Sequence, residues 1–145
     1  IEWIMFRIFN VYGPKMIGSK YGQVIPEFIN RLQSGEYPLN IFGKGQHMRS
    51  FIFINDHVEL IYKAMQLAKK NEVYNIGNTD EITILDLAKK IMNLMNLEPN
   101  FNFLPERNGD HMRRKPSIDK LIAHIGPYNF LNLDNGLIKM LDKKH

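Results

Sequence analysis

The 145-residue sequence has no cysteine, which excludes a disulfide framework and a thiolate metal site. It also has no apolar run near the roughly 20 residues that span a bilayer, and no signal-peptide pattern opens it. The five histidines lie far apart, with none two or four residues from another, so their spacing offers no metal site. From these absences we expect a cytoplasmic protein with no membrane partner.

The sequence also has few clustered charges. Its formal net charge is +4, but its basic residues are mostly spread out, with one run of three at 113–115 and short pairs such as 143–144. A nucleic-acid surface would need a basic stripe interleaved with exposed aromatic residues, so nucleic acid is not expected as a partner. The charge favours a small anionic ligand instead. The length allows one domain or a piece of a larger one.

No catalytic constellation is evident in the residues. The four serines lack a nucleophile-elbow context. Glu106 and Asp110 could form a carboxylate pair, but their Arg- and Gly-rich turn favours ion pairing or ribose contacts. The turn 43–45, Gly-Lys-Gly, lacks the third glycine and the following helix of a dinucleotide-binding fingerprint. The residues alone predict an anion-binding α/β domain.

The most informative stretch runs from Pro38 to His57. A short apolar strand, 39–42, enters the glycine turn, and Arg49 precedes the run 51–54, which reads as a buried strand. An apolar wall, a glycine turn and one guanidinium suit a flat heterocycle with an anionic tail. Read alone, Arg49 could equally be a solvated or ion-paired surface charge.

The sequence predicts one helix before this stretch and another that begins at its end. The apolar residues of 24–34 recur at helical spacing with Pro26 near the first turn, so we expect one buried face there. After the strand 51–54, Asn55 or Asp56 is expected to cap a helix reaching about Lys70. Its predicted inward residues are Ile61, Ala64, Met65 and Ala68.

Five motifs in this order carry a resemblance to a known family. Together they resemble the C-terminal half of the NAD-dependent nucleotide-sugar epimerase/dehydratase family, the extended short-chain dehydrogenases, and most of all its UDP-glucuronate decarboxylases and UDP-sugar 4-epimerases. The dTDP-glucose 4,6-dehydratases are a close alternative. The motifs are RIFNVYGP (7–14), VIP (24–26), LNIFGKGQHMRSF (39–51), YNIGN (74–78) and RNGD (107–110).

The resemblance implies a fold and a domain arrangement. We expect an α/β chain with the last strands of a Rossmann-type parallel sheet and the small C-terminal substrate-binding α/β domain. Residues 1–145 would form the C-terminal nucleotide-sugar-binding portion, without the N-terminal NAD-binding Rossmann half. The sequence has no glycine-rich phosphate turn and no Tyr-x-x-x-Lys pair, so the resemblance implies an NAD-dependent parent enzyme but gives no basis for predicting catalysis by this chain alone. NAD would serve the full-length enzyme, oxidising the sugar at C4 and reducing it again, and is not expected to bind this chain well.

The resemblance also implies roles for residues that would hold the diphosphate. Asn10 would hydrogen-bond the diphosphate, and the backbone at Val24 and Ile25 would present donors to it. Arg49 and Arg107 would clamp the phosphates with planar guanidinium groups.

Further roles concern the nucleoside and the cofactor. Ile41 and Phe42 would flank the base, Asp110 would accept ribose hydroxyls, and Phe9 would lie beside the nicotinamide. The expected partners are a UDP- or dTDP-sugar and the missing N-terminal Rossmann half, and a homodimer is left open. A stand-alone nucleotide-sugar-binding module is the alternative. Arg113 and Arg114 are interpreted as surface charge.

Overall fold

A computed structural model describes residues 1–18, 23–107 and 109–142, so Asn108 and the 143–144 cluster lie outside it. Strands and helices alternate through most of the chain. The strands are β1 (Ile4–Ile8), β2 (Val11–Tyr12), β3 (Leu39–Phe42), β4 (Met48–Ser50), β5 (Ile52–Phe53), β6 (Glu72–Ile76), β7 (Glu81–Thr83), β8 (Phe101–Leu104) and β9 (Arg113–Arg114). The helices are α1 (Val24–Gln33), α2 (Ile54–Leu67), α3 (Ile84–Leu94), α4 (Asp119–Ile125) and α5 (Leu133–Leu141).

Most strand pairs are parallel. β1 pairs with β6 over its full length, with Ile4 opposite Glu72 and Ile8 opposite Ile76. β2 pairs with β5, and β3 with β8, in the same sense. Parallel neighbours need crossover connections, which the intervening helices provide here. The expected α/β class with parallel strands is confirmed.

The sheet around β4 is different because it mixes both directions. β4 lies between antiparallel β7 and parallel β9, with Arg49 opposite Ile82 on one side and Arg114 on the other. Side chains alternate between the two faces of a strand, and directly paired residues share a face. Arg49 and Arg114, which are 65 positions apart in sequence, therefore project from the same face.

The apolar side chains form two buried clusters. The first contains α1, α3, β3 and α5, and the second contains β6, α2 and α4. The chain passes from the second cluster to the first between Phe130 and Leu131. At this crossing the buried carboxylate of Asp56 accepts hydrogen bonds from the Tyr128 hydroxyl (3.0 Å) and the Leu131 amide (2.9 Å).

The helices agree with the periodicity except at α2. The predicted face of α1 is confirmed, since Ile25, Phe28, Ile29 and Leu32 are all buried. The cap of α2 and the strand before it were predicted wrongly. The helix already includes Ile54, Phe53 is its N-cap, and the strand shortens to two residues. Ala64 is buried, whereas Met65 is 58% exposed, because the next residue lies about 100° further round a helix.

Gly136 in α5 gives a test of this packing. An added methyl group there would overlap the phenol of Tyr12, which is 2% exposed. Gly136→Ala should lower the free energy of unfolding by about 1–3 kcal/mol, although alanine is the better helix former. Urea denaturation measures this, with Asn135→Ala at the neighbouring exposed position as control. Equal or higher stability of both variants would contradict the packing.

Candidate functional site

A cavity of about 440 Å³ opens between the start of α1, the strands β3 and β4, and the chain that follows β8. Its volume falls within the range of small-molecule sites. The lining is cationic, with four arginines against two carboxylates among the described residues. The charged lining residues are Arg31, Arg49, Arg107 and Arg114, with Glu27 and Asp110.

Arg49 is the most deeply buried charge of this wall. It is 8% exposed, and its Nη2 lies 2.5 Å from Asp110 Oδ1, while Nη1 donates to the Met48 carbonyl at 2.7 Å. His47, Arg49 and Phe51 all line the cavity, as expected for alternate residues of extended chain. Arg49 is therefore buried and ion-paired and is not a solvated surface charge.

Strand β3 presents one of its two faces to the cavity. Asn40 and Phe42 line it, and the guanidinium of Arg107 lies 3.8 Å from the centre of the Phe42 ring. Ile41 is 1% exposed and belongs to the first cluster, on the opposite face. The expectation that Ile41 and Phe42 flank one ligand is corrected, because consecutive strand residues point to opposite faces.

Phe9 also lies away from the cavity. Its amide donates to the Ile76 carbonyl at 3.0 Å, and its Cβ is 2.9 Å from where a Cβ of Gly77 would stand. It thus packs at the carboxyl ends of β1 and β6 and is absent from the cavity lining. The structure therefore brings together Asn10, Val24, Ile25, Phe42, Arg49, Arg107 and Asp110, and leaves out Ile41 and Phe9.

The start of α1 faces the same cavity with its first backbone amides. No described side chain caps this helix, whose N-cap residue Gln23 has a left-handed backbone. The first amides of a helix have no intrahelical acceptor, so Val24 and Ile25 offer N–H groups here. Nearby, Asn10 Nδ2 donates to the Ser50 carbonyl at 2.9 Å, which leaves its second hydrogen for another acceptor.

Arg114 is a cavity residue that the sequence analysis missed. It lies beside Arg49 on β9 and lines the cavity, whereas its neighbour Arg113 projects to the other face and forms an ion pair with Glu81 at 2.5 Å. The available signal was that two adjacent strand residues point to opposite faces, so that Arg113 and Arg114 could not both lie on the same side. It became useful only once β9 was known to pair with β4.

Asn40 is held in place by a polar cluster at the cavity edge. Arg31 forms an ion pair with Glu36 and donates to the Asn40 carbonyl at 2.9 Å, while Glu36 accepts from the Asn40 amide at 3.0 Å. The hydrogen bonds from Arg31 lower the pKa of the Glu36 carboxyl from 4.5 to about 2.

The sequence and the fold both match known proteins. The model of the NAD dependent epimerase/dehydratase family matches residues 1–77. The chain belongs to this family. As the name of the family states, its enzymes depend on NAD. Among relatives, UDP-glucuronic acid decarboxylase 2 of Arabidopsis thaliana is 34% identical over 97% of this chain and 31% of its own length. UDP-glucuronic acid decarboxylase 1 of Danio rerio is 33% identical over 97% of this chain and 33% of its own length.

Solved structures of the family share the fold. UDP-glucose 4-epimerase of Thermotoga maritima, solved with UDP-glucose, matches 97% of this chain and 45% of its own, with TM-score 0.84 and 28% identity. UDP-glucuronic acid 4-epimerase of Bacillus cereus, solved with UDP-glucuronic acid and NAD, matches 94% and 43%, with TM-score 0.83 and 26% identity. The chain thus spans about a third of these curated relatives and less than half of these structures.

Two further properties of the described residues bear on the site. They contain no cluster of three or more side chains that could hold a metal ion. None of their helices is long and apolar enough to cross a membrane.

The ion pair of Glu36 makes stability depend on pH. Folding favours the ionised carboxyl, so this stabilisation is present above about pH 4.5 and is lost as the pH falls towards 2. Glu36→Gln should destabilise the protein by about 1 kcal/mol at pH 7, and the difference should vanish near pH 2. Thermal unfolding from pH 7 to 2 measures it, with exposed Glu98→Gln as control. A constant difference across this range would contradict the assignment.

Proposed function

We propose that this chain is the nucleotide-sugar-binding, C-terminal portion of an NAD-dependent UDP-sugar decarboxylase or epimerase. The observation that carries the proposal is that Arg49, Arg107 and Arg114 meet the start of α1, which no described side chain caps, at one cavity. Guanidinium groups and helix N-terminal amides both bind phosphate oxygens. The names of the relatives that match 97% of the chain favour a UDP-sugar.

The cavity offers a place for each part of such a ligand. Arg49, Arg114 and the amides of Val24 and Ile25 would hold the diphosphate, with Asn10 donating to it. The exposed ring of Phe42 would stack on the base, with Arg107 turning towards a phosphate. Asp110 would accept ribose hydroxyls while it keeps its ion pair with Arg49. This chain would therefore bind and orient the sugar nucleotide.

The NAD that the family uses fits this chain only in part. Phe9, at the carboxyl ends of β1 and β6, is the one residue here proposed to lie near it. The sequence has no glycine-rich turn between a strand and a helix to hold the pyrophosphate, and no Tyr-x-x-x-Lys pair. We derive no reaction step through NAD from these residues. An N-terminal Rossmann portion would be the partner that supplies the glycine-rich turn and the Tyr-x-x-x-Lys pair.

Two other readings remain as alternatives. A dTDP-glucose 4,6-dehydratase portion would use the same cavity for a dTDP-sugar, and a stand-alone module would bind without catalysis. The first predicts tighter binding of dTDP than of UDP. Homodimer formation and a cytoplasmic location stay predictions.

Calorimetric titration with UDP, dTDP and GDP tests the proposal. UDP should bind most tightly, and Arg49→Ala should abolish binding, because the buried guanidinium makes charge-assisted hydrogen bonds to phosphate. Circular dichroism must show that the variant is folded, and Arg49→Lys, which keeps the charge, serves as a second variant. Failure of the folded wild-type protein to bind any of the three would overturn the proposal.

The neighbouring arginines of β9 provide a matched pair. Arg114→Ala should weaken UDP binding at least about fivefold, since it removes one charged hydrogen-bond donor from the cavity. Arg113→Ala removes the same charge from the opposite face, so its affinity for UDP should stay within about twofold of wild type. Equal losses in both variants would mean that only net charge matters.

A further inference from the structure

Helix α2 has a second apolar face besides the one that it buries in the core. Leu60 and Ala64 are fully buried and belong to the second cluster. Val58, Tyr62 and Met65 are 57%, 61% and 58% exposed in the part of the chain that the structure describes. Successive helix residues are about 100° apart, so these three lie within about 60° of one another, on the side away from Leu60. They form an outward apolar face of α2.

The spacing of apolar residues along this outward face is that of a seam between two helices. Ile54, Val58, Ile61 and Met65 recur at intervals of four, three and four residues. Ile54 and Ile61 are half-buried and continue the face at its edge. Helices that pack side by side use this spacing because it keeps one stripe of side chains towards the partner. The 14 residues of α2 are long enough for two heptads, so the face fits another α-helix.

Two copies of the outward face are complementary when their helices run antiparallel. With a twofold axis between positions 59 and 60, Ile54 of one copy lies opposite Met65 of the other. In the same register Val58 lies opposite Ile61, so every layer of the seam pairs two apolar side chains. Removal of apolar surface from water is the main driving force of protein association. A second copy of this chain therefore supplies an apolar partner for each of the four residues.

The polar side chains beside the seam are compatible with this register. Glu59 and Lys63 form an ion pair of 2.9 Å within the helix, so neither brings an unpaired charge to the contact. Asn55 and Tyr62 are seven residues apart on one flank of the seam, and the antiparallel register brings Asn55 of one copy towards Tyr62 of the other. An amide and a phenol can each donate and accept a hydrogen bond. The flank is therefore complementary to itself, like the seam.

We propose that two copies of this chain associate through the outward faces of their α2 helices, packed antiparallel. The contact would bury less than about 1,200 Å² in total, the size of weak and transient interfaces, so we expect a dissociation constant of about 10–100 μM. No described residue of α2 lines the cavity, so the association would leave the ligand site open. The inference is therefore independent of the proposed function.

Analytical ultracentrifugation of the chain at about 1 to 500 μM tests the association by its dissociation constant. Met65→Lys puts an ammonium group into the seam, where it would lose its water, so the dissociation constant should rise at least about tenfold. Gln66→Lys adds the same charge at the next, exposed position, about 100° round the helix and off the seam. This control should stay within about twofold of wild type. Circular dichroism must show that both variants are folded.

A wild-type chain that stays monomeric up to about 500 μM would overturn the inference, and so would equal weakening by the two lysine variants. Met5→Lys distinguishes a second surface, since Met5 is 55% exposed on β1. A dimer that Met5→Lys weakens and Met65→Lys leaves intact would lie at the edge of the sheet and would also overturn the inference. The wild-type protein provides a measurement without variants. Because only folded copies associate, its urea midpoint should rise with protein concentration, and a constant midpoint would contradict the association.

Discussion

A buried positive charge constrains the whole cavity. The Arg49 guanidinium is nearly removed from water, and a charge in that position must be paired and hydrogen-bonded. Asp110 and the Met48 carbonyl satisfy this need, which ties the chain after β8 to β4. The same ion pair holds Asp110 at the cavity, which Arg107 and Gly109 also line. A phosphate could share the guanidinium because an arginine has five N–H donors.

Local patterns in the sequence predicted part of this site, and the family resemblance, not a local pattern, pointed to Asn10 and Arg107. The glycine turn and Arg49 follow from residues within one short stretch, and the α1 face follows from its period. Arg114 was missed because its place depends on the pairing of β9 with β4, between residues far apart in sequence. Ile41 was misplaced although the alternation of a strand could have separated it from Phe42. Phe9 packs against Gly77, a contact that no local pattern indicates.

Membership in the family and the partial length of the match together suggest a division of labour. The chain carries a cationic cavity of about 440 Å³ and the parallel pair β1–β6, but spans 31–33% of the two decarboxylases compared above. Its own residues suit binding and orientation of an anionic ligand. Under the proposed function, oxidation and re-reduction of the sugar would need a glycine-rich turn and a Tyr-x-x-x-Lys pair, which this sequence does not contain. Recognition and reaction would then be assigned to different portions of one protein.

The carboxylate of Asp56 lies where the two apolar clusters meet. It holds the Tyr128 hydroxyl, on the side of the second cluster, and the Leu131 amide, on the side of the first. Burial and the neighbouring carboxylates raise the pKa of Tyr128, so the phenol keeps its proton and remains a donor over the physiological range. Loosening either cluster would strip this carboxylate of a partner while it is still buried. Opening one cluster would therefore carry an energetic cost at the edge of the other, and Asp56 is the residue through which that cost passes.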